Sequence, residues 1–190
     1  MEQTPEDALN LPQPQHPGYM FADWQQWDGR REFIGGVAYD MTPVPSTEHQ
    51  QISMSLALRS FASLEAARTR GGSGGCAVFA ASTDVFLESS VVQPDLLIVC
   101  DAAKISPRGI EGPPALVVAI LSPTTGRKDL TTKRWLVEAA GVPEYLLIYP
   151  EERRAERLTL GADRIYQTSD RIEWGGLLRL LGGRVVIPLN

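Results

Sequence analysis

The stretch LVVAILSPTTGRKDLTTKRWLVEAAGVPEYLLIY, residues 116–149, reads as strand, helix, strand. Leu116 to Leu121 is a continuous apolar run, the pattern of a strand buried on both faces, since a half-exposed strand would alternate. After Ser122-Pro123 the period becomes helical. Leu130, Leu136, Val137 and Ala140 fall on or near one side, and Gly141 supplies a C-terminal stop. Tyr145 to Tyr149 is a second buried run. Strand, helix and strand in that order form a crossover unit, which puts the two strands in a sheet with the helix packed against it. The fold class that follows is α/β (α+β).

Upstream, Phe33 to Tyr39 encloses Gly35-Gly36 and reads as a strand or tight hairpin. The cluster Pro43, Pro45, Ser46, Thr47 then announces a helix, with Thr47 and Gln50 at capping-box spacing. Met54, Leu58, Phe61 and Leu64 make the apolar stripe expected to face the core, and the helix should end before the loop Gly71 to Gly75. The runs CAVFA, DVFL and VVQPDLLIVCD follow as in a meander. Arg157 to Asn190 alternates weakly, consistent with edge hairpins. Residues 1–18 are polar and proline-punctuated and read as a flexible tail ahead of a single domain, 19–190.

A length of 190 residues and a mass of 20.8 kDa suit one domain with a real core, and 43% hydrophobic with 22% charged residues is a globular composition. The net charge is −5, which excludes a heavily basic DNA coat. That charge is uneven: residues 1–60 hold 3 basic and 8 acidic side chains, 61–126 hold 4 and 6, and 127–190 hold 11 and 9. Cys76 and Cys100 are not a C-x-x-C pair and sit in or beside apolar runs, so they read as reduced core thiols of a cytoplasmic protein. No basic and apolar leader opens the chain and no run approaches the length of a membrane span.

Three carboxylates stand where strands begin: Asp95 directly before LLIVC, Asp84 before VFL, and Glu32 at the start of the first strand. Convergence at one end of a sheet would give a hard divalent cation its oxygen ligands. The alternative is that each caps a strand or pairs with a surface arginine. Lys133 follows Asp129 by four residues, on one helix face, which fits either a surface ion pair or a lysine that stabilises developing negative charge. His49, in the first turn of the long helix, fits a solvated side chain or a phosphate contact. With His16 as the only other histidine, a multi-histidine metal site is excluded. There is no G-x-S-x-G elbow, no P-loop and no dinucleotide fingerprint. Trp24, Trp27, Trp135 and Trp174 are scattered, as core or interface anchors are.

Read in order, REFIGGVAYDM, STEHQQISMSL, STDVFLESSVVQPDLLIVCD, residues 109–152 and LLGGRVVIP resemble the Uma-two family of the PD-(D/E)XK, restriction-endonuclease-like superfamily, over roughly residues 20–190. The resemblance implies a central mixed β-sheet flanked by helices and metal-dependent hydrolysis of phosphodiesters, with Mg²⁺ or Mn²⁺, on nucleic acid, DNA in the first instance, often as a homodimer, with no membrane partner. It carries over Asp95 as the metal-binding acid of the PD element, Glu32 and Asp84 as further acids, Lys133 as the helix lysine and His49 as the histidine after the S-P element. Asp129 would support Lys133, and Arg127, Lys128 and Arg134 would form a basic rim for substrate. Three polar positions of the family are altered. The glutamate of V-V-E-I-L-S-P is Ala119, with Leu121 two residues on; a tyrosine is Val137; and an aspartate is Tyr149. A methyl group cannot coordinate Mg²⁺. Two functions therefore stand side by side: an endonuclease, and a catalytically degenerate protein that binds nucleic acid or a partner, with a homodimeric structural module as the third possibility.

Overall fold

In the computed structural model, residues 18–27, 31–40, 45–71, 75–122 and 126–190 are described. The proposed tail up to residue 17, Pro43, Pro123 and the middle of the glycine loop lie outside them. Strands β9 (Leu116–Ile120) and β10 (Glu144–Tyr149) run parallel, with Leu116 opposite Glu144 and Ile120 opposite Ile148. From Gly126 to Ala139 the connection is helical: α3 (Gly126–Lys128), a π-helical turn (Asp129–Lys133) and α4 (Arg134–Ala139). It ends in a Schellman motif, with Gly141 at φ +84°. Val142 N–H bonds Val137 C=O and Gly141 N–H bonds Glu138 C=O, both at 3.0 Å. The crossover unit read from residues 116–149 is thus present.

Around this pair the sheet is mixed. On one side lie β6 (Leu96–Val99) and then β3 (Ala77–Ala80); on the other lie β11 (Arg154–Leu160) and β12 (Tyr166–Glu173), all antiparallel to their neighbours. Strand pleat divides the central residues between two cores. Leu116, Val118, Ile120, Leu146 and Ile148 face α2 (Thr47–Thr69) and the hairpin β13 (Leu177–Leu180) with β14 (Val185–Pro188). Val117, Ala119, Tyr145 and Leu147 face the crossover helix and a second sheet. That sheet has the order β2-β1-β5-β4-β8-β7, from β1 (Arg31–Ile34), β2 (Val37–Asp40), β4 (Val85–Leu87), β5 (Ser90–Val92), β7 (Ile105–Ser106) and β8 (Gly109–Glu111). Its outer face carries Phe33 and Phe86 under Tyr19, Trp24, Trp27 and Phe21 of the short α1 (Phe21–Trp24).

Four expectations are corrected. CAVFA does not continue as a meander into DVFL: β3 pairs with β6, and β4 with β5 belongs to the second sheet. Short apolar runs do not encode their distant partners. The helix cap is Ser46, whose Oγ accepts from His49 N–H at 3.2 Å, while Gln50 turns back to Pro45 C=O. The buried face of α2 is Leu56, Ser60 and Leu64, so of the expected stripe only Leu64 enters the core. Leu56 and Leu64 fill the core while Ser60 between them lets that side lie close to the sheet, and the 54-58-61 stripe points away.

Cys76 and Cys100 are joined in a disulfide, not reduced. The β3–β6 register pairs Ala77 with Val99, so the next residues outward, Cys76 and Cys100, stand opposite one another despite 24 positions of separation. The Arg184 guanidinium lies over both sulfurs, at 3.4 and 3.5 Å. No helix among the described residues is long and apolar enough to cross a membrane.

Candidate active site

Asp95 precedes β6, and the β6–β9 ladder ends at the Leu96–Val118 pair. Beyond that pair Ile120 N–H has no carbonyl from β6 facing it, and it donates to Asp95 Oδ2 at 2.7 Å. Asp95 Oδ1 faces His49 Nε2 at 3.2 Å. The Ser46 cap fixes the turn that delivers the imidazole there. Hydrogen bonding to Asp95 raises the His49 pKa above its ordinary value, against the opposing effect of partial burial. His49 is therefore not a solvated side chain.

Glu32 is fully buried on the inward face of β1, with Ile34. Oε1 accepts from Gln93 N–H at 2.9 Å and from Lys133 Nζ at 2.8 Å, and Oε2 accepts from Lys128 Nζ at 2.6 Å. Burial would raise its pKa, but the two ammonium charges hold it below the ordinary carboxylate value. Lys133 is 4% exposed and also reaches Asp129 Oδ1 at 3.2 Å, so the i, i+4 pair is an interior one and not a surface contact. Burial disfavours its charge, yet Glu32 and Asp129 keep its pKa well above normal. The Asp129 pKa is raised as well, because burial disfavours its charged form and Lys133 only partly offsets this. The π-helical turn holds both residues inward, a local departure from regular helix of the kind often found at functional sites.

Gln93 extends the network, because its Nε2 donates to Asp84 Oδ1 at 2.7 Å. Asp84 is thus linked to Glu32 through Gln93. Tyr145, buried between Asp129 and the sheet, donates its hydroxyl to Asp129 C=O at 3.1 Å. Gln93 and Tyr145 were not among the expected site residues. The only sequence signal for Gln93 is a polar side chain inside an apolar run two residues before Asp95, and Tyr145 looks like any residue of a buried strand. Of the expected basic rim, Lys128 is committed to Glu32, and Arg134 lies where its charge bears on Tyr166 beside Glu138. The side chain of Arg127 lies outside the description.

Ala119 is buried at 1% exposure on the same face of β9 as Val117, the face toward the site. Two residues on, Leu121 lines an apolar cavity of about 400 Å³ with Leu130 and Tyr149. Glu32 and Asp95 as placed do not by themselves supply the oxygen shell of a divalent cation. Both oxygens of Glu32 are occupied by ammonium groups, both of Asp95 by donors, and position 119 offers none. Among the described residues no three His, Cys, Asp or Glu side chains are grouped to hold a metal ion. What remains partly open to solvent is the edge formed by His49, Asp95 and Lys128.

A family model described as "Putative restriction endonuclease" matches residues 20–181. Among solved structures, the chain is similar to a "putative nuclease belonging to DUF820 from Anabaena variabilis", with a TM-score of 0.68 and 15% identity over 87% of this chain and 90% of that one. No curated protein matches the chain.

Proposed function

The chain belongs to the Uma2 family, and from that premise we propose that it holds the phosphodiester backbone of a nucleic acid, DNA in the first instance, at a nuclease-type site that no longer cleaves it. The observation that carries this reading is the methyl side chain of Ala119, buried at the centre of the sheet beside Asp95, at the position where the resemblance implies an acid that would share the metal. The phosphate would meet the open edge of the site, formed by His49, whose pKa the hydrogen bond to Asp95 raises, and by the Lys128 ammonium. Lys133 is too deeply buried for direct contact and acts by holding Glu32 and Asp129 in place.

A second reading, residual hydrolysis with one Mg²⁺ or Mn²⁺ on Asp95, is favoured by the incomplete burial of that carboxylate, 22% exposed. One assay separates them: duplex and single-stranded DNA with either metal, comparing the chain, Asp95→Ala and Ala119→Glu. No cleavage by the chain, with metal-dependent nicking by Ala119→Glu that is lost on adding Asp95→Ala, is the expected result. Cleavage by the unaltered chain that disappears in Asp95→Ala would overturn the degenerate reading in favour of the second.

A further inference from the structure

We propose that the Cys76–Cys100 disulfide is a reversible redox site that exchanges with a dithiol, and that Arg184 stabilises the thiolate set free. The two cysteines close the β3–β6 pair at the edge of the larger sheet and are only partly buried. The Arg184 guanidinium donates from Nη1 to Cys76 Sγ at 3.4 Å and from Nη2 to Cys100 Sγ at 3.5 Å. A sulfur in a disulfide is a weak acceptor, so two N–H groups gain little from it. Aimed at a thiolate, the same donors make charge-assisted hydrogen bonds, roughly twice as strong as neutral ones. The cation is therefore placed to favour the cleaved pair over the bonded one.

Among the described residues no carboxylate pairs with Arg184. Its Nε donates to Leu181 C=O at 3.4 Å, within its own turn. Asp101, the acid next to Cys100, accepts from Ala103 N–H at 3.1 Å. The turn that carries Arg184 is held from two sides without the disulfide. Leu181 N–H donates to both oxygens of the buried Glu144, at 3.0 and 3.1 Å. On α2, Ser63 Oγ donates to Arg184 C=O at 3.3 Å and accepts from Val186 N–H at 3.0 Å. The guanidinium thus stays beside the cysteines when the bond between them opens. In the exchange a thiolate of the dithiol attacks one sulfur of the pair. A mixed disulfide forms, and the electron pair of the old S–S bond leaves on the other sulfur, beside Arg184. The second thiol of the reductant then gives up its proton and displaces the remaining cysteine as thiolate. Two electrons have passed to Cys76 and Cys100, and the dithiol has become a disulfide. A cation beside a cysteine lowers its thiol pKa, and a thiol of lower pKa leaves faster.

The inference is independent of any activity at the candidate active site. Reduction of the full chain by dithiothreitol at neutral pH is followed by acid quench, alkylation and mass measurement. Arg184→Leu should slow it by about tenfold. Arg184→Lys, which keeps the charge but cannot bridge both sulfurs, should fall between, and in urea all three chains should react alike. In the reduced chain the ultraviolet thiolate absorbance, taken against the chain with both Cys76→Ala and Cys100→Ala, should appear below the ordinary thiol pKa of about 8.5. Glutathione disulfide should close the bond again with the far-UV circular dichroism unchanged throughout. Equal reduction rates for the folded chain, Arg184→Lys and Arg184→Leu would overturn the proposal. So would thiols that titrate at or above the ordinary value, or a reduced chain that has lost its circular dichroism and does not reoxidise.

Discussion

Glu32 is the residue on which the charge balance of the site turns, since it pairs with Lys128 and shares Lys133 with Asp129. Replacing it with glutamine leaves two ammonium groups in a water-poor interior with one carboxylate between them. Removing one partner of a buried ion pair typically costs about 3–5 kcal/mol, because the charge left behind keeps its desolvation penalty. Glu32→Gln should lower the unfolding free energy by that amount in urea titration, whereas a loss under about 1 kcal/mol would mean the network is far better hydrated than its burial implies. The same carboxylate is a source of acid sensitivity. Its folded pKa lies below 4.5, so its contribution is present above 4.5 and is lost as pH falls through the folded value. His49 has the opposite sign. Its folded pKa lies above 6.5, so its stabilisation is complete below 6.5 and disappears as pH rises through the raised value. The difference in melting temperature between the chain and His49→Gln should therefore be largest on the acid side of 6.5 and shrink toward alkaline pH. A difference that grows with pH would show that the imidazole does not bond Asp95 as its charged form.

At the scale of elements, the disulfide ties an edge strand, β3, to the strand that begins after Asp95. In the chain-entropy account, cross-linking residues 24 apart stabilises the fold by about 3 kcal/mol, by restricting the unfolded chain. A reductant should move the urea midpoint down accordingly, and Cys76→Ala with Cys100→Ala should reproduce the shift without reductant; equal midpoints with and without reductant would contradict it. Nothing in the sequence announced this bond, because two cysteines become neighbours only through the β3–β6 register, and register is a non-local property. The crossover unit, by contrast, was legible, since a strand buried on both faces is written as an unbroken apolar run and a Schellman glycine closes its helix. The hairpin at Gly35-Gly36 was legible for a similar reason: both glycines take positive φ, at +57° and +81°, where other residues are strained. For α2 the sequence offered two stripes at helical spacing, 54-58-61 and 56-60-64, and residue type favoured the wrong one. Phe61 and Met54 are larger and more apolar than Ser60, but close packing on a sheet selects small side chains.

For the whole molecule, the convergence of Glu32, Asp95, His49, Asp129 and Lys133 was readable only through the likeness to a family, because the residues come from two sheets and two helices whose approach no local pattern encodes. What that likeness did not reveal is how far the basic residues are already neutralised. Lys128 and Lys133 sit on Glu32, and the chain carries a net charge of −5. At the described edge of the site the basic groups already face carboxylates, so affinity for duplex DNA through this site should be modest and should depend weakly on salt. The slope of log K against log salt is about −0.9 per phosphate neutralised, so two or three contacts give a slope of about −2 to −3, against roughly −10 for an extended basic surface. Fluorescence anisotropy with a short duplex across a salt series measures this directly, and Lys128→Gln should flatten the slope by about one contact. A steep slope that Lys128→Gln leaves unchanged would place DNA on a different surface and remove this site from binding altogether.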